Sequence, residues 1–476
     1  MLLNELTIKE AREKLDTGDI SSVALTEACL KAIEEKNPEL NAVLTVCREE
    51  ALLEAKKADE KLKAGERAPL LGIPYLAKDI LMTKGIRTTA ASKILDNYFA
   101  PYDAAVIAKL KESGAVLLGK TNLDEFAHGA STENSAYGVT KNPHDFTRVA
   151  GGSSGGSSAA VAANLCLFAL GTDTGGSIRQ PSAFCGVVGF KPSYGRVSRF
   201  GLLSMTSSTD VAGPITKTVE DAKFVFEVIE GKDEHDATSI KVEEKNDFKN
   251  LASLKIGLPK EYLQELKNEE VKKALSEAIK KLKLAGVTVE EVSLPNARFG
   301  VPVYYIVTPS EISSNLARFD GIAWGVSDDT AASLHDFYLK ARGQGFGAET
   351  KRRIMLGTYA LSAGYFDSYY KKAQSVRALI IEDFNLAFKD FDLILSPTSP
   401  HPAFKIGAQV NDPLAMYLED IFLVGASLAG LPAISLPALP GEVKGKSLPI
   451  GLQFIAPRFR DEKLLSAAQA IEKILA

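Results

Sequence analysis

Residues 151–186, "GGSSGGSSAAVAANLCLFALGTDTGGSIRQPSAFCG", restrict what this chain can be more than any other stretch. Between two runs of glycine and serine lies "AAVAANLCLFAL", which reads as a buried helix followed by a strand. The strand delivers "GTDTGGS" and then "IRQPS". A turn without bulky side chains is either a plain strand-to-helix connection or a place where backbone N–H groups and a hydroxyl are offered to a ligand. The first run, "GGSSGGSS", leads straight into the apolar helix, so it reads as a tightly packed helix entry and not as a linker.

The surrounding sequence supplies the frame for this block. From "LLGIPYLAKDI" to "VVGFKPSYGRV", short apolar runs alternate with helical segments such as "YDAAVIAKLKESG", the pattern of a sheet with helices against it. Residues 5–65 read as two or three amphipathic helices, with "SSVALTEACLKAIEEKN" starting on serine caps. A charged stretch, "GKDEHDATSIKVEEKNDFKN", reads as a solvated excursion, and helices dominate residues 268–388. Strand-like runs return at "FDLILSPT", "AISLP" and "PIGLQFIA" before a final amphipathic helix. Strands at both ends predict one α/β domain over residues 1–476, with a single large mixed central sheet covered by helices and its core at about 70–215.

Charge and cysteine usage narrow the partners. The chain carries 56 basic and 60 acidic residues, a net charge of -4, which argues against a broad nucleic-acid-binding surface of its own. Cys29, Cys47, Cys166 and Cys185 show no C-x-x-C spacing, which weighs against metal clusters and disulfide frameworks and fits a reducing cytoplasm. The N-terminus lacks the basic start and apolar centre of a signal peptide, and no run of ~18 uncharged apolar residues predicts a membrane span.

Three local patterns suggest chemistry. "GAVLLGKT", residues 114–121, fits the phosphate-loop spacing, but its middle residues look like the strand itself and an amphipathic helix precedes it. "GGSSG" fits a nucleophile elbow with Ser153 as nucleophile, yet "NPHDFTRVA" is a poor strand to precede it. The elbow also needs a late histidine, and His335 and His401 sit in polar or proline-rich surroundings. Lys78 lies inside the apolar run "GIPYLAKDI", where desolvation favours the neutral amine, a competent general base. Taken alone, that lysine is better read as snorkelling to solvent or pairing with Asp79, and it is the company it keeps that favours the base.

Lys78 in "GIPYLAKD", the "GGSSGGSSAAVAA" run and "GTDTGGSIRQPSAFCGVVGFKPSYGRVS" together resemble the amidase signature family of Ser-Ser-Lys hydrolases. "GKTNLDEFAHGASTENSAYG" resembles it too, which makes the phosphate-loop match a coincidence. Outside the shared signature, "SSNLARFDGIAWG", "KRRIMLGTYALSAGYFDSYYKKAQSVR" and "MYLEDIFLVGASLAGLPAISLP" resemble the family branch that serves as glutaminase subunits of tRNA-dependent amidotransferases. Two departures are visible: His128 stands where that branch more usually has methionine, and "GASLAGLP" replaces a usual "NLAGLP".

The resemblance implies Ser177 as nucleophile, Ser153 as the bridging serine and Lys78 as the base, with a cis peptide at Gly152–Ser153. It implies an oxyanion hole from the N–H groups of Thr174, Gly175, Gly176 and Ser177. For glutamine as substrate it implies Arg353 for the α-carboxylate, Asp420 for the α-ammonium and Tyr304 lining the pocket, with Arg352 and Tyr305 one position away as alternatives. It also implies partner B and C subunits, with ATP and magnesium used by the B subunit, which holds the aminoacyl-tRNA. The present chain itself is then expected to bind no metal, ATP or flavin. Whether glutamate-charged or aspartate-charged tRNA is served stays open, and a free-standing amidase acting on other small amides is the alternative.

Overall fold

A computed structural model describes every residue except 1, 244–246, 328–329, 411, 439–440, 444–445 and 476. Eleven strands form one sheet. In chain order they are β1 (Val43–Val46), β2 (Pro74–Lys78), β3 (Val116–Thr121), β4 (Phe168–Asp173), β5 (Val188–Lys191) and β6 (Val211–Thr216). The later ones are β7 (Lys255–Pro259), β8 (Thr288–Val292), β9 (Leu393–Pro397), β10 (Ala433–Pro437) and β11 (Gly451–Ile455). Across the sheet they run β1-β3-β2-β4-β6-β5-β10-β11-β9-β7-β8.

Pairing is mixed. β3, β2 and β4 are mutually parallel, as are β9, β7 and β8, while the strands between pair antiparallel. The single mixed sheet built from distant segments is therefore as expected. The central strands β2, β3, β4 and β6 are buried along their whole length, which is why they read as continuous apolar runs instead of alternating ones.

The N-terminal helices Ile8–Thr17, Ser22–Leu40 and Arg48–Lys63 match the expected helical portion, and Ser21 caps the second by accepting the Ala24 N–H. The short strand β1 between them was not foreseen. The "NPHDFTRVA" segment is a strand after all, Asp145–Val149, but it pairs with Lys141–Asn142 in a separate two-stranded ribbon, with a further bridge from Arg148 to Lys405. It therefore cannot supply the main-sheet strand that an elbow needs. Among the described residues no helix is long and apolar enough to cross a membrane.

This topology fixes the site. β2 and β4 are parallel neighbours in the register Tyr75↔Phe168, Leu76↔Ala169 and Ala77↔Leu170, so both release their chains at the same sheet edge. Ligands of open α/β sheets lie outside the carboxyl ends of such strands. Lys78 closes β2, Asp173 closes β4, and the helices Gly155–Ala162 and Arg179–Cys185 start beside them.

Candidate active site

Lys78 has no solvent exposure, so it does not snorkel. Its Nζ lies 2.7 Å from Ser153 Oγ and 2.8 Å from Thr172 Oγ1. Burial draws the amine down to about 7, against the opposing pull of Asp124, Asp173 and Asp210. An amine with that value is neutral in a large fraction of molecules at neutral pH. Asp79 pairs instead with Lys120, at 3.4 Å inside the protein. Lys120 also donates to Leu81 O and Thr88 Oγ1, and "VLLGKT" is strand β3, so the phosphate-loop reading is excluded on geometry.

Ser153 sits at the helix entry foreseen for "GGSSGGSS". The Gly152–Ser153 peptide is cis, as the resemblance implied. The Gly152 N–H donates to Gln180 Oε1 at 2.9 Å, and Gln180 Nε2 donates in turn to Ala130 O. One glutamine side chain thereby ties the serine loop to the helix that follows Ser177. Among the described residues no histidine hydrogen-bonds to Ser153 or Ser177. His128 meets Thr350, His144 meets the Cys185 carbonyl, His235 meets Asp233, and His401 meets Glu419.

Ser177 is joined to this group through the backbone: Ser154 N–H donates to Ser177 O at 3.1 Å. The turn before it is packed so tightly that its glycines are obligatory. A Cβ on Gly175 would meet the Tyr304 ring at 2.5 Å, and one on Gly176, whose φ is +136°, would meet Leu423 Cδ1 at 2.4 Å. Among the described residues the N–H groups of Thr174, Gly175 and Ser177 donate to no other group. Gly176 is a correction to the expected oxyanion hole: its N–H donates to Asp173 Oδ1 at 2.9 Å. The reason is that the buried Asp173 carboxylate gathers the N–H groups of Gly176, Ile178 and Arg179 at the start of the helix Arg179–Cys185.

Asp173 also forms a fully buried pair with Arg179, at 3.0 Å, and Arg179 holds it well inside the ionised range. Arg179 reaches on to Gln453, Ser427 and the Leu423 carbonyl. Thr174 Oγ1 donates to Asp210 at 2.7 Å, fixing the other flank of the turn. Sequence reasoning assigned no role to Thr172, Asp173, Arg179, Gln180 or Asp210. The first four lie within the glycine-rich block, and their chemistry was legible there only as polar residues next to a serine.

The expected pocket residues do converge. Arg353 and Asp420 are 3% and 9% exposed, so both belong to the interior. The Arg353 guanidinium lies over the rings of Tyr305 and Tyr417, and its Nε donates to Glu349 Oε1 at 2.8 Å. Arg352, the alternative one position away, is 45% exposed and pairs with Glu349 at the surface. Tyr305 Oη donates to Asp420 Oδ2 at 2.9 Å. Burial lifts Asp420 to about 7, opposed by Tyr305 and Arg353. Tyr304 packs on the Gly175 turn, so the two tyrosines divide the work: one shapes the turn and the other holds the acid. Glu349, Tyr305 and Tyr417 were missed as partners of Arg353. A cavity of about 160 Å³, lined in part by Gly129, Ser131, Glu349, Arg353 and Tyr417, opens at this end.

A mixed sheet with a buried lysine, two serines and an N–H-lined turn at its strand ends defines an amide-hydrolase architecture. The chain belongs to the amidase family, whose sequence profile matches residues 24–465. It is 52% identical over 478 residues to the A subunit of glutamyl-tRNA(Gln) amidotransferase from Desulfatibacillum aliphaticivorans, covering 99% of this chain and 98% of that protein. Among solved structures it is similar to the A subunit of glutamyl-tRNA(Gln) amidotransferase from Thermotoga maritima. That match has 42% identity and a TM-score of 0.79, covering 99% of this chain and 95% of that one. It is also similar to native peptide amidase from Stenotrophomonas maltophilia, with 30% identity and a TM-score of 0.82, covering 98% of this chain and 96% of that one.

Proposed function

We propose that this chain hydrolyses the side-chain amide of glutamine and supplies the ammonia to a tRNA-dependent amidotransferase as its A subunit. The observation that carries the reading is the buried opposite-charge pair Arg353 and Asp420, linked through the adjoining rings of Tyr305 and Tyr304 to the Ser177 turn. A free amino acid presents a carboxylate and an ammonium beside its reacting side chain, and a pocket selective for it needs one counter-charge for each. A peptide or aryl amide needs neither, which favours glutamine over the free-standing amidase alternative. The likeness to the A subunits of such amidotransferases over nearly the whole chain supports the same choice.

In this reading the neutral Lys78 amine accepts a proton from Ser153, whose hydroxyl accepts one from Ser177. The Ser177 oxygen then adds to the amide carbon. The resulting oxyanion is received by the N–H groups of Thr174, Gly175 and Ser177, each worth ~10² to 10³ in rate. Collapse expels ammonia, which takes its proton from Lys78 through Ser153, and leaves a glutamyl ester on Ser177. Water, deprotonated by the same chain of groups, cleaves the ester to glutamate.

ATP and magnesium are used by the partner B subunit on the glutamate or aspartate of the charged tRNA, and the C subunit completes the assembly. The test is Ser177→Ala in the purified three-subunit complex. Glutamine-dependent amidation falls by about 10³-fold or more, while amidation from added ammonium salt is kept. Equal loss of both would overturn the role given to this chain.

A further inference from the structure

His128 is fully buried beside the proposed glutamine pocket, and its two ring nitrogens are in different states. Nδ1 lies 3.0 Å from Thr350 Oγ1. The Thr350 hydroxyl proton is already committed to Glu125 Oε2 at 2.6 Å. Glu125 further accepts from the Gly347 N–H at 2.8 Å and from Ser92 Oγ; burial raises its pKa, and these three donors, Thr350 included, oppose that and favour the acceptor form. Thr350 can then only accept from the ring, which places the proton on Nδ1 and leaves Nε2 as a bare lone pair. That Nε2 has no hydrogen-bond partner among the described residues.

One helical turn beyond Thr350, on the same buried face of the helix Ala348–Leu361, is Arg353. Its Nε is anchored on Glu349, but its terminal Nη groups donate to no oxygen among the described residues. Burial and the charge of Arg353 both hold the ring well below its ordinary value, so it stays neutral at physiological pH. A buried acceptor with no donor thus lies within the field of a cation that lines the cavity. Leaving that acceptor unmet costs more than a typical hydrogen bond gains.

We propose that His128 is a positioning residue for Arg353: when substrate binds, its Nε2 accepts one Nη–H, so that the remaining edge of the guanidinium faces the α-carboxylate of the substrate. Glu349 and His128 would then hold the fork from two sides, and the Glu125–Thr350 relay would hold the ring. A methionine at this position would fill a similar space with a sulfur that accepts only weakly. This chain would therefore grip the carboxylate more rigidly than a chain with methionine there. The inference rests on the glutamine reading above.

The experiment uses the full three-subunit complex carrying Ser177→Ala, which cannot turn over, and reads glutamine affinity by calorimetry. Adding His128→Met is expected to weaken glutamine binding about tenfold, and His128→Gln, whose side-chain oxygen can accept, to recover most of it. In complex with Ser177 intact, hydrolysis of 4-aminobutyramide, which lacks an α-carboxylate, is expected to be unchanged by His128→Met. Equal glutamine affinity in the His128→Met variant, with Arg353→Ala still weakening it, would overturn the positioning role and leave the glutamine reading standing. Loss of 4-aminobutyramide hydrolysis in parallel with glutamine would also overturn it, as general damage to the site. If Arg353→Ala itself left glutamine binding unchanged, the glutamine pocket would fail first and this inference with it.

Discussion

Lys78 Nζ and Ser153 Oγ lie 2.7 Å apart in the interior, both residues without solvent exposure, although they are 75 residues apart in the chain. The contact exists because β2 ends beside β4 and the serine loop is folded back over both. Its energetic consequence is a lysine that the folded protein prefers neutral.

That preference predicts a stability difference that depends on pH. Folding lowers the amine from 10.5 to about 7, so between these values the unfolded chain holds a proton that the folded chain lacks. Wild-type stability therefore gains from this group as pH rises through the window, and the burial cost is felt in full below about 7. Lys78→Met removes the cost. Its stability relative to wild type is expected to be highest near pH 6 and to decline by up to about 1.4 kcal/mol per pH unit above 7. Chemical denaturation at several pH values measures this, and parallel profiles for the two proteins would contradict it.

Two groups of the proposed site, Lys78 and Asp420, both stand at about 7. Catalysis needs the first neutral, and ammonium binding needs the second ionised. Both conditions are lost by protonation, so kcat/KM for glutamine is expected to fall below pH 7 with a limiting slope of two protons. Asp420→Asn should lower kcat/KM by about 10²-fold and reduce the slope to one. A pH profile flat from 5 to 8 would contradict both assignments.

The Gly175–Tyr304 contact predicts a coupled pair. Gly175→Ala drives a methyl into the tyrosine ring and should displace the N–H donors, costing about 10²-fold or more in kcat. Shortening the ring in Gly175→Ala/Tyr304→Leu should restore part of that loss. A double-mutant cycle in kcat reads the coupling, and strict additivity would show that the two residues do not press on each other.

Lys120 separates structure from motif. Lys120→Met leaves Asp79 buried without its cation and is expected to cost about 3–5 kcal/mol of stability. ATP-dependent steps of the assembled complex, measured at a temperature where the variant is folded, should be unchanged. A specific rise in KM for ATP would revive the phosphate-loop reading.

What the sequence made legible was local. The glycine-rich turn, the helix after "GGSSGGSS" and the all-buried strands are each encoded within a few neighbouring residues, and β9, β10 and β11 announced themselves as short apolar runs. β8, "TVEEV", did not, since only Val289 is buried and the strand carries two exposed glutamates. The fate of the Gly176 N–H was equally hidden, because it depends on where the Asp173 carboxylate points and not on which residues are adjacent. The surroundings of Arg353 come from three helices, Gly300–Asn315, Ala348–Leu361 and Pro413–Leu418, far apart in the chain. Nothing in "VPVYYIV" says that Tyr305 turns to Asp420 while Tyr304 turns to Gly175.

The most direct measurement is capture of the covalent intermediate. The intact complex is mixed with glutamine, quenched in acid within the first turnovers, digested, and read by mass spectrometry. The expected result is one glutamyl group, as an ester, on the peptide containing Ser177, present in wild type and absent from Ser177→Ala. A glutamyl group on Ser153 or on a cysteine instead, or full glutamine turnover by Ser177→Ala, would contradict the nucleophile assignment on which the mechanism stands.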